Sequence, residues 1–167
     1  LFRTIRSGRA NTSMPVFTML SDAEVRAVIA FVKSLSPKWR KPENYAAPVK
    51  LPEPPAWLAK EAEVRAAALR GKATFALVCA TCHGEHADGK GPAVAGLKDS
   101  WGDPAAPPDL RLPAYRNGRT SGDIVRVLTL GIEGTPMASF GEALTEAQRW
   151  ELAAFLGTLS LPATVRR

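Results

Sequence analysis

Residues 79–83 read Cys-Ala-Thr-Cys-His, and they hold both cysteines of the chain and one of its two histidines. The spacing C-x-x-C-H is the attachment signature of c-type haem. Two thiols one helical turn apart can add to the two vinyl groups of one haem as thioethers, and the histidine that follows is then turned toward the iron as its proximal ligand. Other uses of these residues compete. A thioredoxin-like pair needs a β-strand leading into it, whereas ALRGKATFALV (68–78) reads as helix. A zinc site can recruit Cys79, Cys82 and His86, but the adjacent Cys82 and His83 do not easily share one tetrahedron. A chance match would have to consume every cysteine the chain has.

A haem of this kind usually wants a sixth ligand. His86 lies three residues past His83, too near to reach the opposite face, and reads as a surface residue. Met137 lies far downstream, in a loop after a glycine turn, and is the natural distal ligand; ordinary core packing is its competing role. A thioether ligand favours Fe(II) and suits an electron carrier. In GKGPAVAGL (89–97) the Gly91-Pro92 turn can set the Pro92 carbonyl against the His83 ring N–H, which would orient the ring and strengthen it as a donor; a plain turn is the alternative. Residues 99–116 offer Trp101 and Arg111 as hydrogen-bonding partners for haem propionates, against the plainer reading that both belong to the surface.

The organisation is helical throughout, with no alternating strand pattern. SDAEVRAVIAFVKSL (21–35) opens with Ser21 and Glu24 in the capping-box spacing. It then places Val25, Val28, Ile29, Val32 and Leu35 on one face. LTEAQRWELAAFLGTL (144–159) repeats the design, with Thr145 as cap and Leu152, Phe155, Leu156 and Leu159 as the stripe. The two helices align together with the loops before them. Gly8 pairs with Gly131, Thr12 with Thr135, Met14 with Met137 and Phe17 with Phe140. After one inserted residue, Leu20 pairs with Leu144, Phe31 with Phe155 and Leu35 with Leu159. TIRSG (4–8) and VLTLG (127–131) both look like helix ends closed by glycine. Residues 61–79 and 121–130 make two more helices, and 84–120 are mostly loop. Between the repeats, residues 36–60 carry six prolines and no helical period, so an extended, semi-rigid connector is expected.

The 167 residues are 46% hydrophobic and 23% charged, ordinary for a globular protein, with no apolar run of membrane-spanning length. The net charge of +6 resides in residues 1–60, which carry ten Lys/Arg against four Asp/Glu; the rest is balanced. Such a patch can steer an acidic protein partner or face anionic lipid, or it is simply a solvated surface. No basic run with interleaved aromatics points to nucleic acid.

In order, residues 66–160 contain a helix running into CATCH, a GKGP turn, a middle loop, a short helix, a TPM loop and a final helix ending FLGTLS. This arrangement resembles class I cytochromes c. The longer middle stretch, GLKDSWGDPAAPPDLR, is similar to bacterial cytochrome subunits that serve respiratory or oxidoreductase complexes. Residues 1–36 resemble the second half of another such domain, without a CxxCH of their own. The resemblance implies an all-α class I cytochrome c fold and three parts: a C-terminal half-domain (1–36), a Pro-rich linker (37–60) and a complete domain (61–167). It implies one haem c on this chain, ligated by His83 and Met137. In a tandem di-haem protein a second haem would take Met14; a degenerate half-domain without haem, with Met14 as filler, is the competing account. The implied function is electron transfer rather than catalysis, in or beside a respiratory complex, with redox proteins of acidic docking surface or membrane-complex subunits as partners. The attachment chemistry implies a bacterial periplasmic or periplasm-facing location. A di-haem enzyme such as a peroxidase is the alternative.

Overall fold

The computed structural model describes residues 1–9, 12–45, 47, 49–113 and 115–159. In chain order its α-helices are α1 (Phe2–Ser7), α2 (Asp22–Ser34), α3 (Glu61–Val78), α4 (Ala80–His83), α5 (Ser121–Leu130) and α6 (Glu146–Thr158). Extended pairing among the described residues is limited to an isolated bridge between Lys98 and Pro104. The fold is all-α, as the sequence implies.

The helix starts follow local chemistry. Ser21 accepts from the Glu24 amide while the Glu24 carboxylate accepts from the Ser21 amide. Thr145 and Gln148 do the same at α6, and Thr120 with Asp123 at α5. Each box satisfies two amides that a helix start would otherwise leave without partners. The box at Ser21 and a cap at Thr145 were expected; the Gln148 half of the second box and the box at Thr120 were not.

The chain divides into two compact units, Leu1–Lys50 and Leu51–Arg167. In the second, small residues let α3 and α6 come together closely. Helix α3 buries Ala67, Ala68, Gly71 and Phe75. Helix α6 buries an unbroken run from Leu152 to Leu156, with Arg149 and Trp150 before it. A Cβ at position 71 would stand 2.0 Å from the Glu151 carbonyl oxygen, so the crossing is backbone against backbone. Arg70 pairs with Glu151 at its edge, and the Phe75 ring meets Phe155 at 5.3 Å between centroids. Helix α5 closes the core with Ile124, Val125 and Leu128. Each fully buried Leu or Phe contributes about 1.5–3 kcal/mol.

The first unit is built on α1 and α2, with Ile5 and Val25 buried. The Arg6 guanidinium reaches from α1 to the carbonyls of Phe17 and Leu20 and to Asp22, fixing the loop that leads into α2. The proline-rich stretch departs from its expected extended form. Short 3-10 turns at Pro37–Arg40, Pro42–Asn44 and Ala56–Ala59 interrupt it, whereas residues 49–55 carry no turn or helix. A proline at the start of such a turn loses nothing, because its missing N–H would have had no partner there and its φ already suits the turn. Trp39 and Tyr45 stack edge-on at 6.0 Å with Lys33 over both rings, and Trp57 packs on the core of the second unit. Residues 160–167, including the end of the expected FLGTLS, lie outside the described residues.

Replacing Gly71 with Ala tests the crossing. Alanine is the better helix former by about 1 kcal/mol, but its methyl would meet an immovable backbone carbonyl, and overpacking costs about 1–3 kcal/mol. We expect the clash to win by up to about 2 kcal/mol, with a fall in Tm of up to about 8 °C, measured by the loss of helical circular dichroism on heating.

Candidate haem-binding site

Helix α3 ends at Cys79, whose amide donates to the Phe75 carbonyl at 2.8 Å. The chain then makes one more helical turn. The amides of Cys82 and His83 both donate to the Cys79 carbonyl, at 3.2 and 2.9 Å. Positions three and four apart on a helix share a face, so Cys79, Cys82 and His83 point the same way. Both cysteines are free and half-buried.

The Cys79 thiol sits at the C-terminal end of α3, and burial, with a smaller effect from Cys82, pushes its pKa up to about 11. A thioredoxin-like pair needs a strand leading into it, and the element that leads into Cys79 is the helix α3, so the thioredoxin-like reading loses its support. The zinc reading fares no better. His86 is exposed, and among the described residues no group of three or more His, Cys, Asp or Glu is placed to hold a metal ion.

His83 lies against Phe75, with ring centroids 6.4 Å apart. Burial lowers its pKa, which favours the neutral imidazole that a metal needs. Its Nδ1 is buried without a hydrogen-bond partner. The expected bond to the Pro92 carbonyl is therefore not formed, and this expectation is corrected. Backbone bonds clamp the loop instead. The Gly89 amide donates to the His83 carbonyl at 2.9 Å, Gly91 to Cys82 at 3.2 Å and Ala93 to Thr81 at 3.0 Å. Pro92 itself is exposed. The loop is fixed by main-chain bonds on either side of Pro92 rather than by the proline carbonyl on the ring.

Met137 is half-buried and packs, like Cys79, Ala80 and Phe140, on the buried core of the second unit. Its loop is held at several points. Gly131, at φ 69°, turns the chain out of α5, and a Cβ there would strike the Met137 carbonyl at 2.7 Å. The Thr135 hydroxyl donates to the Ile132 carbonyl and accepts from the Met137 amide. The Ile132 amide donates to the Met137 carbonyl at 2.9 Å. Downstream, buried Arg149 donates to the carbonyls of Phe140, Gly141 and Leu144. Met14 is also half-buried, in the loop of the first unit closed by Gly8.

Of the two expected propionate partners, one stands in solvent and the other is paired within the chain. Trp101 is 84% exposed. The Arg111 guanidinium is occupied by Asp109, two residues away, with bonds of 2.9 and 2.8 Å to both carboxylate oxygens. That bond holds the Asp109 carboxyl below its usual range. Sequence reasoning also passed over Gly71, Phe75 and Arg149. Gly71 and Phe75 share a face four residues apart, a signal that is present in the sequence; a buried arginine gives none.

A haem c fits these residues: two free thiols and a neutral histidine on one helical face, a ring Nδ1 with no protein partner, and a half-buried methionine on the same core. The Cytochrome c family model matches residues 68–160. The chain belongs to the cytochrome c family. Its cofactor is covalently bound haem c, its cysteines are those of the CxxCH motif, and its work is haem-based electron transfer. No curated protein matches the chain. Among solved structures, it is similar to a chain of the reducing HAO-like protein complex Kustc0457/Kustc0458 of Kuenenia stuttgartiensis. The two share 29% identity at a TM-score of 0.79, over 96% of this cytochrome and 70% of the longer chain.

Removing both thiols, as Cys79→Ala with Cys82→Ala, should leave polypeptide without covalent haem. Intact mass after acid–organic extraction reads this directly: retained haem mass would exclude the two cysteines as its attachment points.

Proposed function

We propose that this cytochrome is an outer-sphere electron carrier, or the carrier subunit of a redox complex, with His83 and Met137 as axial ligands. The observation that carries the reading is the Met137 loop. It is held by Gly131, Thr135 and Arg149, and the methionine rests on the same core as Cys79. A side chain meant only as filler needs no such fixing of its backbone.

When bound, haem supplies a one-electron couple whose potential the axial ligands set. The chain's residues do the rest. Cys79 and Cys82 fix the haem in place, Phe75 holds the His83 ring, and the α3–α6 core keeps water from one side. If His83 and Met137 both held the iron, no substrate would have an iron site to occupy, which would favour electron transfer over catalysis. Covalent attachment by CxxCH suits a bacterial periplasmic or periplasm-facing protein of a respiratory chain. Among the described residues, no helix is long and apolar enough to cross a membrane. The basic residues 1–60 suit an acidic docking partner, as does a place beside other subunits. The similar Kuenenia chain belongs to a complex, which supports the second arrangement.

Met137→Ala tests the ligand. Haem should stay attached, the far-red band of a methionine-ligated ferric haem should disappear, and the reduction potential should fall on the order of 0.1 V within the ~0.8 V that axial ligands command. An unchanged potential would place another group on the iron. Stopped-flow electron exchange with an acidic partner should slow steeply as salt rises; rates independent of ionic strength would remove the basic patch from docking.

A further inference from the structure

The two methionine loops share their turns and differ in the arginine that closes them. Gly8 leaves α1 at φ 63°, and Gly131 leaves α5 at φ 69°. The Thr12 hydroxyl donates to the Arg9 carbonyl and accepts from the Met14 amide, as Thr135 does with Ile132 and Met137. The Arg9 amide donates to the Met14 carbonyl, as Ile132 does to Met137. Beyond the methionines the two closures part. In the first unit Arg6, from α1, holds the Phe17 and Leu20 carbonyls, and its other nitrogen pairs with the exposed Asp22. In the second unit Arg149, from α6, serves three carbonyls with one nitrogen. Its Nη1 donates to Phe140 at 3.3 Å, Gly141 at 2.6 Å and Leu144 at 2.7 Å.

Arg149 is 5% exposed, and its Nε is buried without a hydrogen-bond partner. Among the described residues no carboxylate pairs with it. The three carbonyls are therefore what compensates a buried charge, and a charge that loses its acceptors inside a protein is far costlier than a broken neutral bond. Because one nitrogen serves all three, any swing of residues 140–144 strips them together. The same segment is also tied to α5, through the Phe140 amide on the Leu128 carbonyl at 2.8 Å and the Ser139 hydroxyl on the Thr129 carbonyl at 2.6 Å. Those bonds are neutral and cheaper to exchange for water. When the first loop moves, Arg6 keeps Asp22; Arg149 has no carboxylate to keep. Nor does the helix itself need the arginine, since α2 fills the equivalent position with Val25, 0% exposed.

We propose that Arg149 is a positioning residue for the axial methionine. Movement of residues 140–144 leaves its buried charge without acceptors, so the arginine holds Met137 at the iron and keeps that coordination position closed to small external ligands. The inference rests on the reading of Met137 as a ligand and adds what sets how often that ligand lets go. Attachment of the haem through Cys79 and Cys82 does not depend on it.

The test compares the haem-loaded chain with its Arg149→Met variant, which keeps an unbranched apolar side chain and removes the donors. Imidazole should displace the methionine from ferric haem about tenfold faster or more, the factor that one charged hydrogen bond commands, followed as loss of the far-red methionine–ferric band. Hydrogen exchange at the Phe140 and Leu144 amides should accelerate with it, while amides of α3 keep the parent's rates. An unchanged imidazole rate would overturn the proposal. So would acceleration spread evenly over α3 and α6, the mark of an arginine that merely stabilises the fold. If Arg149→Met gives too little haem-loaded protein, Arg149→Gln replaces it, with the same direction expected and a parent-like imidazole rate again overturning the proposal. Met137→Ala separates the two readings. A far-red band that persists in it strikes the ligand reading, whereas a band lost there with an unchanged imidazole rate in Arg149→Met strikes this inference alone.

Discussion

The backbone contact between Gly71 and Glu151 sets the position of nearly everything the site needs. It brings α3 onto α6 closely enough for Phe75 to bridge Phe155 and His83. Because Cys79 and His83 continue straight from the end of α3, the direction of that helix fixes the face on which the thiols and the imidazole appear. Helix α6 also carries Arg149, whose guanidinium holds the carbonyls after Met137. One helix crossing therefore positions the histidine side directly and steadies the loop that carries the methionine.

Burying Arg149 is costly unless its donors are used. Here its Nη1 meets carbonyls at the end of a loop, groups that would also lack partners if buried, while its Nε stays buried without a hydrogen-bond partner. The exchange explains why a charge sits in an apolar run. The first unit solves the same problem from outside the helix, with Arg6 on α1, and Val25 fills the position equivalent to Arg149 and is fully buried. The shared requirement is a fixed loop; the residue that meets it has moved.

Much of this was legible in the sequence, for identifiable reasons. Capping boxes and apolar stripes are local signals, so α2, α5 and α6 could be placed within a residue or two. CxxCH is a dense motif whose chemistry follows from its spacing. The expectations that failed depended on geometry between segments. Whether the Pro92 carbonyl reaches His83 is set by how a loop folds back. Whether Arg111 is available depends on Asp109, two residues before it, and Trp101 follows the plainer surface reading that the sequence also offered. The connector was expected to be extended because prolines break helices, but a proline at the first position of a short turn promotes it.

The exposure of Val28, Phe31 and Leu35 on α2 is not explained by the sequence as a solvated helix would be. A helix selected only for solubility has no reason to keep a phenylalanine and a leucine one turn apart in the open. Nor does a loop that has lost its purpose have reason to retain a left-handed glycine, a doubly bonded threonine hydroxyl and a clamped carbonyl, all at the spacing of its working copy. Glycine loses more conformational freedom on folding than any other residue, so its place at Gly8 is a cost the turn requires. The recurrence of these bonds in Leu1–Lys50 shows that the two units fix a methionine loop by the same backbone chemistry.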